Sequence, residues 1–324
     1  MELLKKLTTA YGPSGREDLI RGLIEEEVKQ YADEVYTDTL GNLIAHKKGN
    51  GKKIMLAAHM DEIGVAVTFI DDNGFLRFSQ VGGLYTKDLN GRRVVFQNGV
   101  VGVISTQEDN KDRKISKMYI DIGAKDSLDA KKIVSIGDMA VFCGECINQE
   151  NIVISKALDN RAGCYVLIEA MKKIKSSNDL YFVFTSMEEV GLRGAKTSAY
   201  GIAPDFALAI DVTDTGDTPD GIKMATKLGG GACVKVMDRS VLCDSFVRST
   251  LIRLCQENKI NYQLEVMTEG GTDAGSISLS GAGVKTGGVS IPTRYIHSPS
   301  EMVNKKDLAD CIDLVSAFAC ENFD

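Results

Sequence analysis

The sequence predicts an α/β fold that is interrupted by a small all-β module. Apolar runs of strand length, such as Lys53–Ala58 and Leu180–Thr185, alternate with segments in which apolar residues recur at helical spacing. Such runs are typical of strands buried on both faces of a sheet. Across residues 65–154 the pattern changes to short alternating strands, separated by turn sequences that include Asp72-Asn73-Gly74 and Asn98-Gly99. We therefore expect an α/β domain with an inserted β module.

Composition and charge indicate an ordinary globular protein. The 324 residues are 44% apolar and 26% charged, and the formal net charge is -7 at pH 7. This charge argues against nucleic acid or an anionic membrane as the main partner. We see no signal peptide and no apolar stretch that could span a bilayer, so we expect a cytoplasmic protein. The eight cysteines are then expected to be reduced, and Cys143-x-x-Cys146 lacks the second pair of a zinc knuckle.

The first elements are a helix and a buried strand. Ser14-Gly15-Arg16-Glu17 has the pattern of a capping box, which predicts a helix beginning there, with apolar residues from Leu19 to Tyr31 on one face. Lys53–Ala58 predicts a buried strand that ends at His59.

Helices and strands alternate again after the β module. Leu158-Asp159-Asn160-Arg161 leads into a helix, and a short helix before Gly201 separates the predicted strands Leu180–Thr185 and Phe206–Ile210. The later elements are predicted as an amphipathic helix from Asp238 to Lys259, a strand from Val284 to Ile291 and a last helix that begins with an Asn cap at Asn304.

The most informative feature is the acidic doublet Glu188-Glu189, which closely follows the predicted strand Leu180–Thr185. Two ionised carboxylates at the mouth of a buried strand are costly unless positive charge meets them. In α/β proteins that mouth is also where ligands bind. Adjacent residues of an extended chain point in opposite directions, so one carboxylate could bind a metal while its neighbour acts on a water. A Glu-Glu pair by itself is more often a solvated loop, so the interpretation depends on residues elsewhere.

Histidines and further carboxylates occur at other strand ends and helix starts. Among the three histidines, His59 ends a predicted strand, and His297 follows a strand-like run. Asp211 ends another strand, and Asp159 stands at a helix start, where it could equally be an N-cap. Each histidine alone would more often be structural. Together, nitrogen and oxygen donors without a thiolate suit Zn²⁺, Co²⁺ or Mn²⁺, and the set is typical of a two-metal hydrolase.

The order of these motifs resembles the M42 family of dinuclear metallo-aminopeptidases, which includes glutamyl, leucyl, deblocking and TET aminopeptidases. The resemblance covers nearly the whole chain, and some members of the family are labelled cellulase or endoglucanase. The motifs that carry it are Tyr11-Gly12-Pro13-Ser14-Gly15, His59-Met60-Asp61, Leu158-Asp159-Asn160-Arg161, Glu188-Glu189-Val190-Gly191, Asp211-Val212-Thr213, Gly270-Gly271-Thr272-Asp273-Ala274 and Ile291-Pro292-Thr293-Arg294-Tyr295-Ile296-His297-Ser298.

The resemblance implies a ligand set for two divalent ions per subunit, zinc or cobalt, with manganese as a further option. His59 and Asp211 would bind one ion, and Glu189 and His297 would bind the other. Asp159 would bridge both ions.

The resemblance also implies two catalytic roles. Glu188 would be the general base for a metal-bridging hydroxide and would move the proton to the departing amine. Asp61 would bond the far nitrogen of His59 and fix its tautomer. The reaction would be removal of the N-terminal residue from short peptides.

The fold implied by the resemblance agrees with the pattern along the chain. Residues 1–64 and 155–324 would form a metallopeptidase-type α/β/α catalytic domain. Residues 65–154 would form an inserted small β-barrel, PDZ-like domain that serves dimerisation and assembly. The chain would then be a homo-oligomer, from a dimer up to a tetrahedral dodecamer.

Three other functions remain open at this point. A related dinuclear amidase or deacylase acting on N-acyl amino acids would use the same site. An endoglucanase would use two carboxylates but would need neither histidines nor metals, and the chain has 6% aromatic residues and no Trp for a sugar cleft. A non-catalytic assembly or peptide-binding protein would rely on the β module. Met60, Arg294 and Tyr295 flank the candidate ligands and are candidates for the pocket lining.

Overall fold

The computed structural model describes residues 1–323. Its α-helices are α1 (Glu2–Thr9), α2 (Asp18–Val28), α3 (Ser127–Lys131), α4 (Leu158–Lys173), α5 (Arg193–Ile202), α6 (Ser245–Asn258), α7 (Asp273–Ser278) and α8 (Lys305–Ala319). Short 3-10 helices lie at Thr86–Asp88 and Ile115–Lys117. None of the helices in this described range combines the length and the apolar character needed to cross a membrane.

The strands fall into a large sheet and a closed barrel. The first strands are β1 (Glu34–Thr37), β2 (Leu43–Lys47), β3 (Lys53–His59), β4 (Gly64–Ile70), β5 (Leu76–Val81), β6 (Arg93–Phe96), β7 (Val101–Thr106), β8 (Met118–Asp121) and β9 (Met139–Phe142). The later strands are β10 (Ile147–Asn148), β11 (Ile152–Ser155), β12 (Asp179–Thr185), β13 (Phe206–Thr213), β14 (Ala232–Met237), β15 (Tyr262–Val266), β16 (Lys285–Arg294) and β17 (Glu301–Asn304).

The large sheet has a parallel centre with antiparallel strands on both sides. Its order is β1-β2-β12-β3-β13-β16-β17-β11-β10, and β14 pairs with both β16 and β15. The neighbours β12, β3, β13 and β16 are parallel, so their carboxyl ends lie at one edge of the sheet. That edge is where an α/β sheet presents its ligand site.

Alternate residues of the central strands pack on opposite faces of the sheet. In β3, Ile54 and Leu56 join the core cluster that contains α1, α2, α4, α6 and α8 residues. Met55 and Ala57 join the separate cluster formed with α5 and α7 residues. Because both faces are covered by helices, these strands are apolar throughout rather than alternating. The predicted α/β/α arrangement is confirmed.

The inserted β module is a closed antiparallel barrel, as predicted, and its strand order is β4-β5-β8-β7-β6-β9. It has its own apolar core, which includes Val65, Phe78, Ile104 and Ile120. The barrel strands lie between residues 64 and 142, whereas β11 pairs with β17 in the large sheet. The division into domains at residues 64 and 154 stays a prediction.

Two local predictions are wrong. The helix α2 forms, but without a capping box, because Ser14 Oγ donates to Asp61 Oδ2 at 2.6 Å and Glu17 Oε1 accepts from Gly15 N at 2.7 Å. The helix predicted from Asp238 begins only at Ser245. Asp238 Oδ1 instead accepts hydrogen bonds from the main chain of the next residues and closes a turn.

Candidate metal centre

Several strand ends bring the candidate ligands to one edge of the large sheet. His59 is the last residue of β3 and pairs in register with Thr185, the last residue of β12. The doublet Glu188-Glu189 follows β12, and Asp211 lies near the end of β13. The structure brings these residues together with His297 and Asp159 from other elements.

Asp159 lies between the two imidazoles. Its Oδ1 is 3.1 Å from His59 Nε2, and its Oδ2 is 3.3 Å from His297 Nε2. His59 Nε2 is also 3.7 Å from Asp211 Oδ1 and 3.8 Å from Glu188 Oε2. His297 Nε2 is 3.2 Å from Glu189 Oε2. The two histidines therefore face a shared carboxylate, and each has at least one further carboxylate nearby.

Because the cluster is buried, the pKa of each of its side chains depends strongly on the charges of the others. Burial raises the pKa of Glu188 and that of Asp211 well above the ordinary value. Burial lowers the pKa of His297, but Glu189 and Asp159 outweigh that effect and raise it to about 12. Burial also raises the pKa of Asp159, yet its hydrogen bonds with the two imidazoles bring it below the usual range. The cluster holds more carboxylates than imidazoles, so a bound cation would stabilise it.

The donor atoms fit a divalent cation. One ligand atom each from His59, Asp159 and Glu189 lie within 4.8 Å of one another, as do atoms from His59, Glu188 and Asp211. Within residues 1–323, the buried Glu189 Oε1 has no hydrogen-bond partner. A buried carboxylate oxygen without a partner is costly unless a cation or a donor meets it. Nitrogen and oxygen donors without a thiolate suit zinc, cobalt or manganese.

Asp61 lies behind the cluster and holds the main chain of the doublet. Its Oδ1 accepts from Glu188 N at 3.0 Å, and its Oδ2 accepts from Glu189 N at 3.2 Å and from Ser14 Oγ at 2.6 Å. The closest Asp61 atom to His59 Nδ1 is the carbonyl oxygen at 3.1 Å, and the carboxylate Oδ1 is 3.5 Å away. Asp61 thus contacts His59 and also positions the backbone of the doublet.

Glu301 is a site residue that the sequence interpretation missed. Its Oε2 accepts from Asp159 N at 2.8 Å, and its Oε1 accepts from His297 N at 2.9 Å. The residue is 2% exposed. One carboxylate therefore fixes the backbone of two candidate ligands on different elements. The only sequence signal is an acid four residues after His297, which is too common to be informative.

Glu17 also supports the doublet. Its Oε1 accepts from Met187 N at 3.0 Å, and Met187 has a φ of 54°. His297 has a φ of 62°, so the backbone is in the left-handed region at both ends of the site. Such conformations are strained for residues with a Cβ and persist only where surrounding contacts enforce them. Glu17 and Glu301 provide those contacts.

A cavity of ≈ 440 Å³ opens beside the cluster. One wall comes from the barrel, where Gly83 approaches so closely that a Cβ there would lie 2.9 Å from His297 Nδ1. A Cβ on Gly82 would lie 3.1 Å from Glu189 Oε2.

The predicted pocket residues Met60, Arg294 and Tyr295 do not line this cavity. Met60 is part of the main core. Arg294 pairs with Asp217, with 2.7 Å between Nη2 and Oδ2.

Known proteins match this chain along nearly its whole length. The family model for M42 glutamyl aminopeptidase matches residues 41–314. A relative from Acetivibrio thermocellus is 54% identical over 98% of each chain. The lysyl aminopeptidase of Pyrococcus furiosus is 35% identical over 98% of this chain and 95% of its own.

Solved structures share the fold as well. The Pyrococcus horikoshii TET1 peptidase, which can assemble into a tetrahedron or a large octahedral shell, is 35% identical, with a TM-score of 0.88 and 99% of each chain covered. A Thermotoga maritima structure that carries the name endoglucanase is 33% identical, with a TM-score of 0.84 and coverage of 98% of this chain and 96% of that one. The resemblance seen in the motifs is confirmed: the chain belongs to the M42 peptidase family, a family of aminopeptidases.

Proposed function

We propose that the chain is a two-metal aminopeptidase that removes the N-terminal residue from short peptides. The observation that carries this proposal is the position of Asp159, whose two oxygens face His59 Nε2 at 3.1 Å and His297 Nε2 at 3.3 Å. A carboxylate placed in this way is suited to bridge two cations.

Each half of the proposed site would have one imidazole and one carboxylate of its own. His59 and Asp211 would hold one ion, His297 and Glu189 would hold the other, and Asp159 would be shared. The unpartnered Glu189 Oε1 supports a cation on that side. The ions would be zinc, cobalt or manganese, because the donors are nitrogen and oxygen. Such ions would polarise the peptide carbonyl and lower the pKa of water.

Glu188 would be the general base. It lines the cavity beside His59, and its main-chain N–H is fixed by Asp61. Its carboxylate would accept a proton from the attacking water and deliver that proton to the departing amine. Asp61 would keep the doublet in place and would contact Nδ1 of His59, so that Nε2 faces the metal.

We also propose that the chain forms a homo-oligomer and that the barrel contributes to assembly. The support is its similarity to the TET1 peptidase, which itself assembles into closed shells. Size-exclusion chromatography with light scattering measures the particle mass, and a monomer at micromolar concentration would contradict the proposal. The cytoplasmic location stays a prediction.

Chelation tests the function directly. Removal of metal is expected to abolish hydrolysis of leucyl and lysyl p-nitroanilides, and added Zn²⁺ or Co²⁺ is expected to restore it. Metal analysis of the restored enzyme is expected to find two ions per chain. Hydrolysis of N-acetyl amino acids in place of free-amine anilides would favour the deacylase function. Glucan hydrolysis that survives chelation would contradict the metal site.

A further inference from the structure

The cavity is lined by an acidic residue that the proposed mechanism does not use. Asp214 follows β13, which ends at Thr213, and it lines the cavity beside the cluster. Within residues 1–323, no Lys or Arg lines this cavity. Its basic residues in that range are His59 and His297, and both are assigned to metals. Among the described lining residues, no free cationic side chain therefore remains to pair with an anionic group of a substrate.

Asp214 is half-buried and its carboxylate has no partner. Its carbonyl oxygen accepts from Thr226 Oγ1 at 2.8 Å, but in the described part of the chain no hydrogen bond or ion pair reaches its side chain. The other spare acid of the cavity, Glu269, is 77% exposed and lies 3.1 Å from Arg239 Nη1. Burial raises the pKa of Asp214, and the charge of His297 offsets only part of that effect.

The cavity also offers an apolar surface for a side-chain stem. Ile222, Met224 and Met267 line it together with Asp214. Methionine is flexible and adapts to irregular shapes. Lysine and arginine pack their methylene stems along apolar surface while their charged ends meet polar partners. The combination of an apolar wall and a single free carboxylate matches this kind of side chain.

We propose that Asp214 selects peptides whose N-terminal residue is lysine or arginine, by accepting hydrogen bonds from the cationic end of that side chain. N-terminal glutamate and aspartate would be disfavoured, since their carboxylates would meet Asp214 and no Lys or Arg. This inference rests on the proposed aminopeptidase function and assigns its substrate class.

Steady-state kinetics on three p-nitroanilides tests the proposal. The wild-type enzyme is expected to have a kcat/KM for lysyl anilide at least about tenfold above that for glutamyl anilide. Asp214→Asn keeps the shape and removes the charge, so it is expected to lower kcat/KM for lysyl anilide by about tenfold while the value for leucyl anilide stays within about twofold. Asp220→Asn is the matched control, because Asp220 is exposed on the same segment and does not line the cavity.

Two kinetic outcomes would overturn the inference about Asp214 but leave the proposed aminopeptidase function standing. One is an unchanged kcat/KM for lysyl anilide in Asp214→Asn. The other is an equal loss on all three anilides, which would mean that Asp214 meets the α-ammonium group common to them. A wild-type enzyme that hydrolyses no aminoacyl anilide would overturn the proposed function, and the inference with it.

Calorimetry with free amino acids provides a readout that does not depend on turnover. L-lysine and L-norleucine share the α-ammonium group and a four-carbon stem, but only lysine has the terminal cation. The wild-type enzyme is expected to bind lysine about tenfold more tightly than norleucine, and Asp214→Asn is expected to remove that difference. Equal affinities in the wild-type enzyme would contradict the proposal.

Discussion

Replacement of Glu301 by alanine is expected to destabilise the fold and weaken metal binding together. The Glu301 carboxylate accepts from Asp159 N at 2.8 Å and from His297 N at 2.9 Å. Leaving one buried donor unsatisfied costs about 1–3 kcal/mol, so the loss of both predicts a decrease of about 2–6 kcal/mol in the free energy of unfolding. Glu301→Gln has one acceptor oxygen and one NH₂ group, so about half of that loss is expected.

Urea unfolding of metal-free protein measures the stability effect, and competition with a chromophoric chelator measures metal affinity. The expected order for both quantities is wild type, then Glu301→Gln, then Glu301→Ala. Glu108→Ala is a suitable control because Glu108 is exposed on the barrel. If Glu301→Ala unfolds within about 0.5 kcal/mol of the wild type, the two amides do not depend on this carboxylate and the reasoning is refuted.

The remaining predictions concern the cluster and one distant carboxylate. Glu188→Gln is expected to keep both metals and lose activity by several orders of magnitude; loss of a metal, measured by elemental analysis, would mean that Glu188 and Glu189 have exchanged roles. Asp159→Ala is expected to impair both metal sites, and normal occupancy of either would exclude the bridge. Burial raises the pKa of Asp307 to about 6. As pH rises, the unfolded state therefore loses this proton before the folded state does. The contribution of Asp307 to stability is then lost between about pH 4 and about pH 6. The free energy of unfolding of Asp307→Asn, measured by urea titration, should therefore rise relative to that of the wild type across this pH range. A difference between the two proteins that does not change with pH would contradict the raised pKa of Asp307.

The parts of the fold that depend on periodicity could be predicted from the sequence. The run Leu180–Thr185 is apolar because helices cover both faces of its strand, and the same reason applies to Phe206–Ile210. The predicted strand ends then place His59 and Asp211 at the same edge of the sheet, since the carboxyl ends of parallel strands lie together. The pairing of Asp159 with His59 and His297 could be anticipated only through family resemblance, because residue spacing carries no information on distances between separate elements.

Residues that act through the backbone could not be predicted. Glu301 and Glu17 accept hydrogen bonds from main-chain amides of the site, and such a bond leaves no pattern in the sequence. The pattern at Ser14 and Glu17 indicated a helix cap, yet tertiary contacts with Asp61 and Met187 took both side chains. A local motif gives the wrong answer where a longer-range partner competes for the same atoms.

The contact of Gly82 and Gly83 with the site limits how the two modules can change during evolution or engineering. Because a Cβ at Gly83 would lie 2.9 Å from His297 Nδ1, a barrel taken from another protein would have to present an equally bare backbone at that point. Deletion of the barrel would leave His297 and Glu189 without one wall and open to bulk water. A change in how the barrel attaches to the large sheet would therefore first alter the surroundings of His297.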